Sequence, residues 1–255
     1  MTSLNKNGFL PMAALVSSAV VAIAMIASGL GNRWGWWGFA VGFKILTFAA
    51  FLEALIAVIA LAACFLPIGG RPQRAIVMLV AAIVIAVLVL SVPIKMAMAA
   101  RSLPYIHDIT TDTDNPPQFD DSIRRLRADS PNTVDYEGAE LAAKQHKAYP
   151  DIRPMVLALP PDKAYGTALA AARAFGWDIV SASAEKGFIE ATATTFWYGF
   201  KDDIAIRITP LNVGSRIDVR SVSRLGKSDI GANAGRIRKY FGKIKLMRGA
   251  TGTLP

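Results

Sequence analysis

The chain has little of the chemistry that most catalytic sites use. Its 255 residues include one cysteine, Cys64, and two histidines, His107 and His146. It contains neither a Gly-x-Ser-x-Gly elbow nor a His-Glu-x-x-His pair, the motifs of many hydrolases and zinc peptidases. Cys64 lies in an apolar run, and both histidines lie in a stretch without clear periodicity. These absences count against the familiar hydrolase and metalloenzyme classes.

Two further patterns fail as catalytic motifs. Gly226-Lys-Ser228 resembles the end of a phosphate-binding loop, but that motif needs a glycine where Ser221 stands. Asp202 and Asp203 are adjacent, and neighbouring side chains of a strand point to opposite faces, so they do not form an acid–base pair. The residues leave open whether the protein is an enzyme, and they favour a protein that is not one. The alternative is a hydrolase-like envelope enzyme with an unrecognised site in its soluble domain.

Charge is nearly absent from long parts of residues 1–100. Leu10 to Leu30 and Ala75 to Ile94 contain no charged residue, and Ile45 to Leu66 contains only Glu53. Each run reaches the ~20 residues that are needed to cross a hydrocarbon core. The sequence therefore predicts a membrane anchor of three transmembrane helices, and the lipid bilayer as a first partner.

Glu53 is the one charged residue in these runs. An ionised side chain near the bilayer centre costs roughly 2.5–3.5 kcal/mol or more, so such residues are functional by default. The competing interpretation is a protonated carboxyl that is bonded to a neighbouring helix or a water pocket. Because no basic residue lies deep in the other two runs, we do not interpret the chain as a transporter.

From Arg101 onward the composition is that of a soluble domain. Residues 101–151 hold ten acidic and six basic residues, whereas residues 201–255 hold four acidic and twelve basic residues. This opposition predicts that the acidic part folds across the basic part, or that the basic part faces an anionic surface. The formal charge of the chain is +9, but we expect no nucleic-acid partner, because the domain follows a membrane anchor.

Alternating residues predict the fold of residues 161–255. Apolar residues recur at every second position in Ile204 to Ile208, and the run from Arg216 to Val222 also alternates, with a turn at Asn212-Val-Gly214 between them. With two further strands before these, the prediction is helix, four-stranded antiparallel sheet, helix, an α+β domain with both helices on one sheet face. Its expected shared core consists of Trp177, Phe188, Ile206, Val219, Ile237 and Phe241. Residues 101–160 are expected to be an extended, acidic segment that contains several prolines.

The polar residues of the last strands and helix form the candidate site. We hypothesise one cluster of Arg220, Arg224, Asp229 and Asn233, where the fourth strand meets the last helix. The polar face of these strands carries more arginines than carboxylates, and Arg207 is one of these arginines. If Asp202 or Asp203 joins this cluster, it is structural; if both point away, the arginines and the helix N-terminus would bind an anion. We favour the structural version, because buried arginine is usually paired.

A second polar run, from Tyr105 to Pro117, contains four oxygen donors that could bind calcium: Asp108, Asp112, Asp114 and Asn115. The glycine and the distal glutamate of a helix-loop-helix calcium loop are missing, and these residues are also ordinary turn formers. We expect turns here, and no metal or cofactor.

Two runs carry a resemblance to a known family. The first extends from Pro104 to Pro117, and the second extends from Val219 to Asn233 and is followed by Arg236. Through them, the part from about Pro104 to Ile244 resembles the bacterial family known as domain of unknown function 1499. The resemblance implies no established activity. Related plant domains are similar to thylakoid-lumen proteins, which implies an extracytoplasmic side, and shorter members carry a cysteine near Asp114 that this chain lacks.

Together these features predict a membrane-anchored extracytoplasmic binding or assembly module of the cell envelope. We expect a multi-pass protein of the bacterial inner membrane, with a periplasmic soluble domain and another envelope or membrane protein as partner. Charge alone does not fix this orientation, because the two sides carry similar numbers of basic residues. These are Lys6, Arg71 and Arg74 on one side, and Arg33, Lys44, Lys95 and Arg101 on the other.

We predict that the N-terminus is cytoplasmic and that the domain from about Arg101 is periplasmic. Alkaline phosphatase fused after Pro255 should therefore be active, whereas a reporter that fluoresces only in the cytoplasm should be dark there. The reverse pair of results would contradict the orientation.

Overall fold

The computed structural model describes residues 6–65 and 72–251. Leu66, the last residue of the second apolar run, and Arg71 lie outside the described residues, as do 252–255. The chain forms two compact units. Met1–Met98 and the four residues Phe196–Gly199 make up the first unit, and Ala99–Thr195 and Phe200–Pro255 make up the second.

Three long helices make up most of the first unit: α1 (Lys6–Arg33), α2 (Phe39–Phe65) and α3 (Gln73–Ser102), whose last four residues belong to the second unit. All three are long and apolar enough to cross a membrane, which confirms the prediction of three apolar helices. Their contact is built largely from small side chains, among them Ala14, Ala60 and Ala82. Small residues let helix backbones approach closely where burial of apolar area gives no advantage over lipid.

The described residues of the second unit form ten helices and strands. In chain order they are β1 (Asp108–Thr110), α4 (Asp121–Leu126), α5 (Ala139–Ala148), β2 (Met155–Leu157), α6 (Pro161–Ala174), β3 (Asp178–Ser183), β4 (Phe188–Thr194), β5 (Lys201–Pro210), β6 (Ser215–Ser223) and α7 (Ala232–Thr251). The antiparallel sheet has the order β1-β6-β5-β4-β3, and β2 also pairs with β6. The predicted α+β domain is thus confirmed, with two additional short strands. β1 and β2 have three residues each, too few to show an alternating pattern.

One face of the sheet carries the main core. The isoleucines at 204, 206 and 208 of β5, with Ile217 and Val219 of β6, are buried among residues of α6 and α7. Trp177 and Ile237 share this core, and Phe241 packs against it, as predicted. Phe188 does not, because it precedes the core residue Ile189 by one position and so points to the opposite face.

The opposite sheet face, which we call the covered face, is covered by residues within 117–136, which we call the covering segment. Phe119, Ile123 and Val134 pack there against Ala205 and Val222. Instead of forming an extended lead segment, residues 101–160 contribute β1, β2, α4 and α5 to the second unit. The reason is that this face carries apolar and charged side chains that must be shielded from water or paired.

We predict that Ile206→Ala lowers the free energy of unfolding by about 2–5 kcal/mol, because it leaves a cavity at a fully buried position. Val156→Ala, at a strand position that is 62% exposed, is the matched control and should change it by no more than about 0.5 kcal/mol. Pulse proteolysis of the full chain across a urea series measures both. Equal midpoints for the two variants would show that Ile206 is not in the core.

Candidate functional site

Arg220 of β6 is fully buried, and its guanidinium is surrounded by acceptors. Its Nε and Nη2 donate to the Asp108 carboxylate of β1 at 3.1 and 2.7 Å. Nη1 donates to the Pro117 carbonyl at 3.2 Å, and Nη2 donates also to the Val134 carbonyl at 2.7 Å. The rings of two residues of the covering segment, Phe119 and Tyr136, each lie 5.3 Å from the guanidinium carbon. Arg220 therefore ties the sheet to the segment that covers it.

Asp203 of β5 is the centre of a second buried group on the same face. Its Oδ2 accepts from Arg127 Nη1 at 2.8 Å and from Arg224 Nε at 2.9 Å. Its Oδ1 accepts from Arg224 Nη2 at 2.8 Å and from the Thr192 hydroxyl at 2.7 Å. One carboxylate thus holds together β4, β5, the chain after α4 and the chain after β6. Arg127 also donates to the carbonyls of Asn132, Thr133, Val222 and Ser223.

A third group of charges lies nearer the surface. Arg216 Nη2 donates to Asp112 at 2.6 Å and to Asp218 at 3.0 Å. Arg207 Nη2 donates to the same two carboxylates at 3.2 and 3.1 Å. Two arginines and two aspartates therefore alternate in one network, which leaves no net charge on these four side chains.

The main-core face carries a separate polar group where β6 meets α7. The Asn233 side chain accepts from the Ser221 hydroxyl at 2.8 Å and donates to the His107 carbonyl at 2.9 Å. Arg236 donates to Asn233 and, from its other terminal nitrogen, to Asp202. Asp229 accepts from the backbone N–H groups of Gly231 and Asn233, at 2.9 and 2.8 Å, just before α7 begins. These bonds fasten the start of α7 to the sheet.

The structure thus separates the four residues that the sequence suggested as one cluster. Arg220 and Arg224 lie on the covered face, whereas Asp229 and Asn233 lie on the main-core face. Alternation along β6 is the reason, because Ser221 contacts Asn233 and its neighbour Arg220 must point the other way. Adjacent Asp202 and Asp203 are divided in the same manner, so each group receives one of them.

Several partners were not found by reasoning from the sequence. These are Asp108 for Arg220, Arg127 for Asp203, Arg236 for Asp202, and Glu190, which accepts from Asp120 N and from the hydroxyls of Ser122 and Ser181. The signal that could have found part of them is the charge opposition of the two ends of the domain. Its first interpretation is confirmed: Asp108, Asp112 and Asp151 pair with arginines of the basic end.

Burial shifts the acidity of the groups around these arginines. It raises the pKa of the Tyr136 phenol to about 12, and the charge of Asp108 acts in the same direction. It also raises the pKa of the Asp108 carboxyl, whereas the hydrogen bonds from Arg220 lower it. Burial lowers the pKa of Arg127, and the bond to Asp203 opposes that change. Each buried charge therefore depends on the partner that is bonded to it.

Two carboxylates that the sequence raised as calcium ligands, Asp108 and Asp112, accept from arginines in the structure. Over residues 6–65 and 72–251, no group of three or more His, Cys, Asp or Glu side chains is arranged to hold a metal ion. The arginine groups have the geometry of structural contacts, because their donors are directed at acceptors of the same domain.

Glu53 lies in the first unit and is fully buried. The Ser18 hydroxyl of α1 lies 2.5 Å from Glu53 Oε1 and 3.2 Å from the Ala82 carbonyl of α3. Three helices therefore meet at one polar contact. This arrangement agrees with the interpretation of Glu53 as a carboxyl that is bonded to a neighbouring helix.

We predict that Arg220→Ala lowers the free energy of unfolding by about 3–5 kcal/mol, because Asp108 would remain buried without its partner. Arg124→Ala is the control, since its pair with Asp135 is exposed (42% and 71%) and should contribute less than about 1 kcal/mol. Urea midpoints of the full chain, read by pulse proteolysis, compare them. If Arg220→Ala lowers the free energy of unfolding as little as Arg124→Ala does, Arg220 does not stabilise the fold in this way.

One family matches residues 108–244, more than half of the chain, and this range contains both buried arginine groups and the fastening of α7. A search of curated proteins finds no match to the chain. The chain belongs to the family described as Protein of unknown function (DUF1499).

Proposed function

We propose that this protein is a membrane-anchored binding or assembly module of the bacterial cell envelope. In this proposal the three helices cross the inner membrane, the second unit lies on the periplasmic side, and the partner is another envelope or membrane protein. Nucleic acid is not the partner.

The proposal rests on the observation that the buried charged residues of the second unit are hydrogen-bonded to groups of the same unit. Arg220 and Asp203 are fully buried, and their donors and acceptors are directed at groups of the same domain. Buried charges that are paired in this way fix the positions of strands and covering segments. A domain whose charged residues serve rigidity presents a preformed surface, and a preformed surface lowers the entropic cost of binding a partner.

Exposed apolar side chains at one corner of the sheet supply the candidate contact. Val213 is 82% exposed in the β5–β6 turn, and Val156 of β2 is 62% exposed. The two segments are neighbours, because a Cβ on Gly214 would lie 2.2 Å from the Leu157 carbonyl oxygen. Gly214 has φ +88°, so only glycine fits both the turn and this close approach. The turn is therefore held rigidly beside β2, with Val213 directed outward.

We predict that mild-detergent purification of the wild-type full chain recovers a specific envelope or membrane protein, and that Val213→Glu lowers its recovery several-fold. A charge at the centre of an apolar contact would be buried without a partner, whereas at a free surface it costs little. Leu246→Glu is the matched control, because Leu246 is 72% exposed on a different element, α7, and should leave recovery unchanged.

Two results would count against the proposal. If no protein is recovered with the wild-type chain from the envelope fraction, the binding role is contradicted. If both glutamate variants recover the partner equally well, the module binds through another surface than the corner at Val213.

A further inference from the structure

The four residues Phe196–Gly199 stand between β4 and β5 in sequence, yet they belong to the first unit with the three helices. They lie outside every apolar run of the sequence. Their contacts are nonetheless with the end of α1 and with the start of α2, where the Tyr198 hydroxyl donates to the Gly42 carbonyl at 3.4 Å. The segment is rich in aromatic residues, since Phe196, Trp197 and Tyr198 are consecutive.

Each of these three residues is hydrogen-bonded to the end of α1 through its side chain or its backbone carbonyl. The Trp197 indole N–H donates to the Ile26 carbonyl at 2.9 Å. The Tyr198 hydroxyl lies 3.2 Å from the Ser28 hydroxyl, and the Tyr198 carbonyl accepts from the Asn32 side chain at 2.6 Å. The Phe196 carbonyl accepts from Arg33 Nη1 at 2.8 Å.

The contact of Trp197 with α1 is too close for any side chain beyond hydrogen at position 29. A Cβ on Gly29 would lie 2.5 Å from the indole ring, a distance that real Cβ atoms essentially never show. The indole therefore occupies a site on the helix surface where the sequence provides a glycine. Close packing of this kind fixes the depth of the segment relative to α1.

That depth is the end of the apolar run. Ile26 lies within the run from Leu10 to Leu30. Arg33 comes seven residues after Ile26, which is roughly 10 Å along a helix axis. Trp197 is thus at the level of the last apolar turn, and Phe196 is at the level of the first charge. Tryptophan and tyrosine favour this boundary between hydrocarbon and headgroups, where their rings are apolar and their polar atoms are bonded.

The same end of the helices exposes several large aromatic rings. Phe196 is 81% exposed, Trp36 is 65% exposed and Trp34 is 57% exposed. The Arg33 guanidinium lies 5.7 Å from the Phe196 ring centre and adds a cation at the same level. Aromatic side chains beside a basic residue at the end of an apolar helix suit the acyl–headgroup boundary of a bilayer.

We infer that Phe196–Gly199 is a fourth membrane-contacting element, which lies in the lipid headgroup region beside the ends of α1 and α2. Phe196 contacts lipid, and Trp197 and Tyr198 hold it at that level through their bonds to α1. The occupant of this aromatic surface is the bilayer itself, because the surface continues helices that are long and apolar enough to span it.

The test places an environment-sensitive fluorophore on single cysteines of the full chain in vesicles that contain nitroxide-labelled phosphatidylcholine. Cys64→Ala provides the background, because Cys64 is the one native cysteine. Phe196→Cys is compared with Phe51→Cys, which is 74% exposed within α2, and with Val213→Cys, which is 82% exposed in the second unit. Since all three side chains are highly exposed, labelling leaves the packing of the chain intact.

We expect blue-shifted emission at position 196 and several-fold stronger quenching than at position 213. A nitroxide near the headgroup should quench position 196 best, whereas a nitroxide deep in the acyl chain should quench position 51 best. Emission and quenching at position 196 that match position 213 would overturn the inference. So would blue-shifted emission that lipid nitroxides do not quench and that depends on protein density, because the surface would then be covered by protein.

Discussion

The second unit depends on the pairing of arginines that lie inside it. A guanidinium cannot lose its proton in a protein, so burial of Arg220 requires acceptors for its donors. Asp108, the Pro117 carbonyl and the Val134 carbonyl provide them, and all three come from the chain before α5. The covering segment is therefore as necessary to the fold as the strands, because without it the sheet would bury an unpaired charge.

This requirement explains why both sheet faces are polar in part. On the main-core face, isoleucines fill the middle of the strands and the Asn233 group closes the end where α7 begins. On the covered face, Asp203 and Arg220 stand among a smaller apolar cluster. Each face thus joins the sheet to a different layer, through contacts whose geometry is set by directed hydrogen bonds.

The first unit also contains a buried polar contact, which lies among its apolar helices. Glu53 is its one buried carboxyl within the three helices, and its contact with Ser18 is made where α1, α2 and α3 meet. Polar contacts between helices give specificity where apolar contacts are equivalent to contacts with lipid. At the end of α1, the indoles of Trp37 and Trp197 donate to the backbone carbonyls of Ser28 and Ile26, which fixes aromatic rings around the helix terminus.

Much of this architecture could be predicted from the sequence. Uncharged runs such as Leu10 to Leu30 identify the three long helices, and the alternation of Ile204, Ile206 and Ile208 identifies a strand and its core face. The predicted helix, four strands and helix correspond to α6, β3 to β6 and α7. These features follow from local periodicity, which each segment carries in itself.

The tertiary structure determined which side chains pair with one another. Asp108 lies 112 residues from Arg220, and its three-residue strand has no periodic signal, so the sequence offered it as a turn residue or a calcium ligand. The hypothesised single cluster was divided because a sheet has two faces, and the sequence does not say which segment covers each of them. Phe196–Gly199 belongs to the first unit, which the sequence did not indicate either. Its aromatic residues favour an apolar surface, but only the folded chain determines which apolar surface they contact.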